Sequence, residues 1–307
     1  GAGPHVPAGL AGDDEFVAVG AEVFAQDAAE SLLGAARYGP VVVREVEVRD
    51  AEVEGALAAA DGIHLHEQCS ALPTGSAGIY VDHAGRNSIV IGAGANAALS
   101  PAFIDSQRTQ IEASAVVLAQ LESPVDAVAA ALRIARARGV LTLLNPAPAN
   151  VVVPPELWAD VDVATPNETE FCAHLLHDCG EVMDPDLLGA CEDAELHSVC
   201  RRWQPAATVV VTLGASGCFI SHPAGNLRGD TAQHYRVPAA AVVPVDTTGA
   251  GDAFNGALAA SLARAPGRPF LDHVRFAGAY AGVSTEHAGA AISMPHADEV
   301  ERRFGPF

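Results

Sequence analysis

From about Ala113 onward the chain alternates short apolar runs with stretches whose apolar residues recur at helical spacing, and this restricts the fold more than any other feature. Such alternation is the mark of a parallel sheet covered by helices. AVVLAQLE at Ala115 to Glu122 reads as a buried strand, Pro124 to Arg138 as a helix and VLTLLN at Val140 to Asn145 as the next strand. VDVATPN at Val161 to Asn167 ends another strand, and TVVVTLGASG from Thr208 repeats the theme. Ligands of such sheets gather at the carboxyl ends of the strands, where Glu122, Asn145, Asn167 and Thr212 all fall. Four polar strand ends in series point to one site.

Around Gly78 to Ile91 the text changes to GIYVDHAGRNSIVI, two short alternating runs joined through Gly85. They predict a hairpin, a small β flap on the α/β body. Residues Ala21 to Asp61 are rich in alanine and acids, with VVVREVEV at Val41 to Val48 as a strand candidate and no evident chemistry. The 307 residues suffice for one large α/β core or two modest ones, and no internal repeat or low-complexity linker is evident.

The stretch DTTGAGDAFNGA at Asp246 to Ala257 carries the chemistry. Gly249, Ala250 and Gly251 let backbone N–H groups approach an anion at the positive end of the helix that begins there. Asp252 comes next, placed to take a proton from a hydroxyl. The arrangement suits phosphoryl transfer to an alcohol. A glycine turn with an acidic helix cap would explain GAGD alone, but not twelve residues in this order. One helix end contributes about 1 kcal/mol or less in the open, so a divalent metal and a general base must supply more.

All seventeen basic residues are arginine, and the chain contains no lysine. A Walker A loop, a protein-kinase strand lysine and Schiff-base chemistry are therefore excluded. Any nucleotide is held by backbone, arginine or metal. A net charge of −21 opposes binding to nucleic acid or anionic lipid.

Cys69, Cys172, Cys179, Cys191, Cys200 and Cys218 form no CxxC pair or zinc-like spacing, and they read as reduced, mostly buried thiols. Without a signal peptide or an apolar run of about 18 residues, a cytoplasmic location is expected. His64, His66, Glu67 and Cys69 in IHLHEQC lack a complete ligand set and read as structural, and Trp158, Trp203 and Phe219 read as core.

Five blocks together resemble the ribokinase branch of the PfkB carbohydrate kinase family, from about Gly75 to Pro295. They are GAGANAALS at Gly92, QLESP at Gln120, NPAPA at Asn145, TPNETE at Thr165 and DTTGAGDAFNGAL at Asp246. The resemblance implies a ribokinase-like α/β fold in one domain: a central, mostly parallel sheet covered by helices on both faces, with the hairpin at about 76–92 as a β lid. It further implies an ATP-dependent kinase phosphorylating D-ribose at its 5-hydroxyl, or deoxyribose or another small sugar. A non-catalytic, nucleotide-binding relative or fragment is the alternative from another class.

Carried onto this sequence, the resemblance makes Asp252 the base and a sugar contact, with Gly249, Ala250 and Gly251 as the anion hole. Glu122 would contact the sugar, and a glutamate beside Ser123 and Pro124 has no evident core role. Thr212, Leu213, Gly214, Ala215, Ser216 and Gly217 match the nucleotide loop, with Gly251 beside it. Asn167 and Glu170 match the NxxE pattern linked to magnesium and phosphate; as an N-cap with an N3 glutamate they also fit a capping box, and both readings can hold. A potassium site would draw on Asp246, Thr248, Ser284, His287, Gly289 and Ser293, several through backbone carbonyls. Lids of the family commonly pair into homodimers, and Ile79, Val81, Ile89 and Ile91 fit such a contact or a cover over substrate.

Two departures accompany the resemblance. The family's first strand, with an Asn and Asp for the sugar, and its GGKGAN loop are not found; AGLAGDDEF at Ala8 to Phe16 resembles the family segment that normally comes just after that loop and its helix. The expectation is a truncated chain, one with replacement residues, or one that has lost sugar affinity. Gly278 stands where relatives often carry an Asn or His near the adenine.

Overall fold

A computed structural model describes residues 16–19, 40–44, 64–67, 71–72, 76–81, 87–289 and 293–307. The strands are β1 (Phe16–Val19), β2 (Pro40–Arg44), β3 (His64–Glu67), β4 (Ser76–Val81), β5 (Asn87–Gly92), β6 (Val116–Gln120), β7 (Leu141–Asn145), β8 (Val163–Ala164), β9 (Thr208–Thr212), β10 (Cys218–Ser221) and β11 (His234–Val237). The described helices are α1 (Pro101–Ser106), α2 (Arg108–Ala113), α3 (Val125–Arg138), α4 (Pro155–Trp158), α5 (Glu168–Cys179), α6 (Asp193–Trp203), α7 (Ala250–Arg264), α8 (Phe270–Ser284) and α9 (Ala297–Phe304).

Nine strands form one sheet in the order β11-β10-β9-β8-β7-β6-β1-β2-β3. The ladder from β9 through β3 is parallel, and only the β9–β10 and β10–β11 pairings are antiparallel. The chain leaves β1 outward to β2 and β3, returns to pair β6 on the other side of β1, and then proceeds to β7, β8 and β9. This reversal creates a crevice at the carboxyl ends of β1 and β6, where ligands bind in such sheets. The expected hairpin strands are β4 and β5, a separate antiparallel pair with Ile79 opposite Ile89; the turn at 82–86 lies outside the described residues.

Strand alternation feeds two cores. Val117 and Ala119 of β6 face a layer holding α1 to α6, whereas Val116 and Leu118 face α7, α8 and α9. Helices therefore cover both faces. In the first layer Trp158, Trp203 and Phe171 pack edge to face at centroid separations of 5.1 and 5.5 Å, and Phe219 is fully buried, so these aromatics are core. Helix α3 starts behind Pro124, ends at Gly139 in the left-handed region (φ 76°), and buries Val128, Ala131, Leu132 and Ala135 as one stripe. Burying each Val or Leu is worth about 1.5–3 kcal/mol.

Helix α7 is of another kind. Its small residues let it lie against β6, β1 and α8 at once, and every residue from Ala253 to Ala263 is buried. Its first turn, with Gly251 and Asp252, opens to solvent, as does Arg264 at its far end.

The strands at 115–122, 140–145 and 208–212 and the helix at 124–138 stand within a residue or two of expectation. β8 is shorter than the sequence suggests: it leaves the ladder after Ala164 because Pro166 has no N–H to donate, and pairing resumes as a single bridge between Asn167 and Thr212. The sequence does not announce β1, since four residues carry too little pattern, yet it holds the middle of the sheet. The missing first strand and glycine loop would be sought in residues 1–15 and 20–39, which lie outside the described residues, as do most of the acidic stretch 21–61 and Cys69. Cys172, Cys179, Cys191, Cys200 and Cys218 are all free thiols, three of them buried. Among the described residues no helix is long and apolar enough to cross a membrane.

Candidate active site

Gly249 caps α7 with φ 74°, a left-handed conformation that suits glycine, and no side chain caps the helix start. The first helical bond runs from Ala253 N–H to the Gly249 carbonyl (2.9 Å), and Ala250 N–H is taken by the Thr247 carbonyl (3.2 Å). The N–H groups of Gly251 and Asp252, having no partner within the helix, are the ones free to meet an anion. A Cβ at Gly251 would touch nothing within 4 Å, so this backbone borders open space.

Asp252 reaches solvent, yet desolvation by the surrounding protein raises its carboxyl to about 6. Accessible and poorly hydrated at once, the group lies in a concavity rather than on a convex surface. Glu122, two residues past β6, is raised further, to about 7, first by burial and then by the negative charge of Asp252. Its backbone N–H is held by Gln120 Oε1 at 3.0 Å. The two carboxylates thus lie near enough for the charge of Asp252 to act on Glu122.

Asn167 and Glu170 form the full capping box of α5: Glu170 N–H donates to Asn167 Oδ1 (2.8 Å) and Asn167 N–H to Glu170 Oε2 (2.9 Å). Asn167 Nδ2 reaches Glu170 Oε1 (2.9 Å) and Asn145 Nδ2 reaches Oε2 (3.4 Å). Burial raises the Glu170 carboxyl, with Asp252 adding to the shift. Both Glu170 oxygens are engaged by the protein. Among the described residues no three His, Cys, Asp or Glu side chains form a metal-holding group. That donor set fits magnesium carried on phosphates with its own waters, the habit of this ion.

Two site residues escape a reading of the sequence. Asn255, one turn after Asp252, donates from Nδ2 to the Gly251 carbonyl (2.9 Å) and accepts from the Thr165 hydroxyl (2.5 Å). Thr165 in turn offers its carbonyl to Asn145 Nδ2 (2.8 Å). A polar residue buried in an otherwise apolar helix is the signal that marks Asn255.

The nucleotide-loop candidates come directly after β9. Thr212 is half-buried, Leu213 turns into the core, and Gly214, Ala215 and Ser216 make an exposed 3₁₀ turn. Gly217 (φ 84°) closes it, where a Cβ would overlap the Val237 carbonyl and come within 2.6 Å of Ala239 N. Residues 237–239 therefore back the loop, and the chain runs on from them into 240–245. That stretch carries Val243 and Val245, exposed by 76 and 69%, an apolar strip. Gly278, midway along α8, faces open space.

The cation candidates cluster in part. Asp246 accepts Thr248 N–H through Oδ1 and Gly289 N–H through Oδ2, both at 2.9 Å, and the Gly289 bond first, then Thr248, hold its carboxyl below the usual range. Val245 and Asp246 N–H both bond the Thr285 carbonyl (2.7 and 3.0 Å). Segments 245–248 and 285–289 are thereby zipped together. Ser284 turns its hydroxyl onto the Ala281 carbonyl (2.8 Å), His287 is exposed and Ser293 is buried. Such oxygen-rich loops fit a monovalent cation held mostly by carbonyls.

The mostly parallel sheet, its helical layers and the separate β hairpin together define the ribokinase-like α/β fold class. The chain belongs to the pfkB family of carbohydrate kinases, whose sequence profile matches residues 57–297. It is 35% identical to ribokinase from Haemophilus influenzae over 74% of this chain and 67% of that one. It is 37% identical to mouse ribokinase over 73% of this chain and 64% of that protein, so the matches span about two thirds of these relatives. The solved structure of Arabidopsis thaliana ribokinase complexed with ribose and ATP superposes with a TM-score of 0.77 at 23% identity, covering 94% of this chain and 98% of that one, a likeness of fold.

Proposed function

We propose that this chain transfers the γ-phosphoryl group of ATP to the 5-hydroxyl of D-ribose, giving ribose 5-phosphate and ADP. The carrying observation is Asp252, an accessible carboxylate in a desolvated pocket, next to the open N–H groups of a helix start. The name of its relatives from Haemophilus influenzae and mouse, ribokinase, suggests the sugar, and the Arabidopsis thaliana ribokinase complexed with ribose and ATP suggests the nucleotide.

In this reading Asp252 takes the hydroxyl proton, the oxygen attacks phosphorus in line, and ADP departs. Backbone at Gly249, Ala250 and Gly251 faces the transferring group, with the N–H groups of Gly251 and Asp252 taking most of its charge. Glu122 accepts a hydrogen bond from the sugar. Residues Thr212 to Gly217 cradle the nucleotide, and the strip at Val243 and Val245 offers an apolar wall for its base. Magnesium, when present, offsets phosphate charge; Asn167 and Glu170 would hold it through water, their own atoms being engaged in the cap. Potassium would sit at the zipped loops of Asp246, Thr248 and Gly289, with carbonyls of Ser284, His287 and Ser293 nearby, and strengthen the positive end of the cradle. The hairpin β4–β5 would close over the sugar and pair with a second copy, in the cytoplasm.

Ribose-dependent ADP production with magnesium and potassium tests the proposal, against deoxyribose and fructose and the Asp252→Asn variant. Turnover on ribose that the variant loses supports it. Preference for another sugar reassigns the substrate, and ATP binding with no turnover on any sugar turns the reading into that of a nucleotide-binding relative.

A further inference from the structure

The strip 240–246 is fastened at two places. Its far end is held by the backbone bonds of Val245 and Asp246 to Thr285. Its near end depends on side chains. Arg303 of α9 forms a two-pronged ion pair with Glu286, through Nη1 to Oε2 and through Nη2 to Oε1 at 2.9 Å, and Nη2 also reaches the Ala241 carbonyl at 3.3 Å. Glu286 Oε1 then accepts Val243 N–H at 3.1 Å. The Arg303 guanidinium holds the Glu286 carboxyl at about 2, well below its usual range. Behind the strip, Gly282 of α8 leaves room for Ala240 and Val242, to which a Cβ would come within 3.0 and 3.4 Å. Arg303 and Glu286 lie outside the five sequence blocks that carry the resemblance, and Arg303 lies beyond the profile match at 57–297.

We infer that the Arg303–Glu286 pair is a latch by which the C-terminal helix α9 positions strip 240–246 against the nucleotide loop, making both positioning residues for nucleotide affinity. The inference rests on the nucleotide-site reading above. A strip held only at Asp246 would leave Val243 free to swing, and the base would lose one preorganised wall. Neither residue touches the sugar or Asp252, so the effect falls on nucleotide binding and spares the chemical step.

Calorimetric binding of MgATP to the whole chain, without sugar, tests this in the wild type, Arg303→Ala, Glu286→Gln, the double variant and Arg303→Lys. Thermal melting confirms folding. Each single variant is expected to weaken binding about tenfold, the scale of one charge-assisted bond. The double variant is expected to match the worse single one, because both break the same latch, and lysine should restore part of the loss by pairing with Glu286. Turnover at saturating ATP should stay within about twofold of wild type, with an unchanged KM for sugar. Unchanged ATP affinity in folded Arg303→Ala overturns the latch, as do additive effects or an equal fall in turnover. Wild-type protein that fails to bind MgATP overturns instead the nucleotide-site reading on which the latch depends.

Discussion

The Thr165 hydroxyl, just past β8, donates to Asn255 Oδ1 of α7 across 2.5 Å, and both side chains are buried. The same Asn255 amide holds the Gly251 carbonyl, and Thr165 in turn holds Asn145, which reaches Glu170. A continuous series of hydrogen bonds therefore runs from the α5 cap to the α7 cradle. It ties the N-terminal ends of α5 and α7 to the end of β7, a preorganisation of the kind that electrostatic catalysis requires.

Asn255→Ala should lower kcat about tenfold, the worth of one or two buried hydrogen bonds, while leaving KM for both substrates within about twofold. Thr165→Val should do the same. Because the two share a bond, the double variant should lose little more than either one, which a double-mutant cycle on kcat will show.

Removing the charge of Asp252 is the sharpest test of the chemistry. Asp252→Asn should reduce kcat by about 10²–10⁴, the usual contribution of a positioned base. Folding should not suffer. The folded state holds the Asp252 proton more tightly than the unfolded chain, so its ionisation costs stability as pH rises toward 6. The variant should melt no lower than wild type at pH 7.

Two ionisations should separate in the pH profile. The base form of Asp252 is lost as pH falls through about 6, so kcat should drop on that side. Glu122 is raised to about 7 by burial first and then by Asp252, so KM for the sugar should change around that pH, and Glu122→Gln should abolish this second inflection. In Asp252→Asn, Glu122 should titrate at lower pH, because the repelling charge is gone; carboxyl NMR shifts report it directly.

Gly217→Ala should destabilise the protein and weaken nucleotide binding together. Alanine at φ 84° is strained by about 1 kcal/mol or more before its Cβ meets the Val237 carbonyl. The backbone of 237–239 must retreat, carrying the strip behind the loop with it. A lower melting temperature with an intact KM for ATP would show instead that this contact is purely structural.

The parallel body of the fold is legible in the sequence because β6, β7 and β9 are apolar runs cut off by polar strand ends, and α3 has an uninterrupted stripe. β1 is not, since FVAV becomes a central strand only through its partners β2 and β6. The cradle is legible down to single residues, because glycines and a helix start impose local geometry. Ala250, however, spends its N–H on Thr247, and Glu170 spends both oxygens on the cap; such contacts depend on how the backbone turns. Asn255 and the Arg303–Glu286 pair are tertiary, with partners 90 and 17 residues away, and no local pattern announces them.

Asp246 links the turn before α7 to the loop at 285–289. Its two oxygens each accept a backbone N–H, one within its own turn and one from Gly289. Asn at this position has one oxygen and one NH₂, so it can serve Thr248 or Gly289 but must set a donor against the other. Asp246→Asn should therefore unzip 245–248 from 285–289. With potassium bound there, half-maximal activation should need about tenfold more of the ion, as expected for the loss of a charged hydrogen bond. A potassium titration of turnover at constant ionic strength, with choline as the balancing cation, measures this. The variant should approach wild-type turnover at high potassium, since Asp252 and the open N–H groups of α7 remain in place. An identical potassium response in both proteins would place the activating ion elsewhere and leave Asp246 as a loop fastener alone.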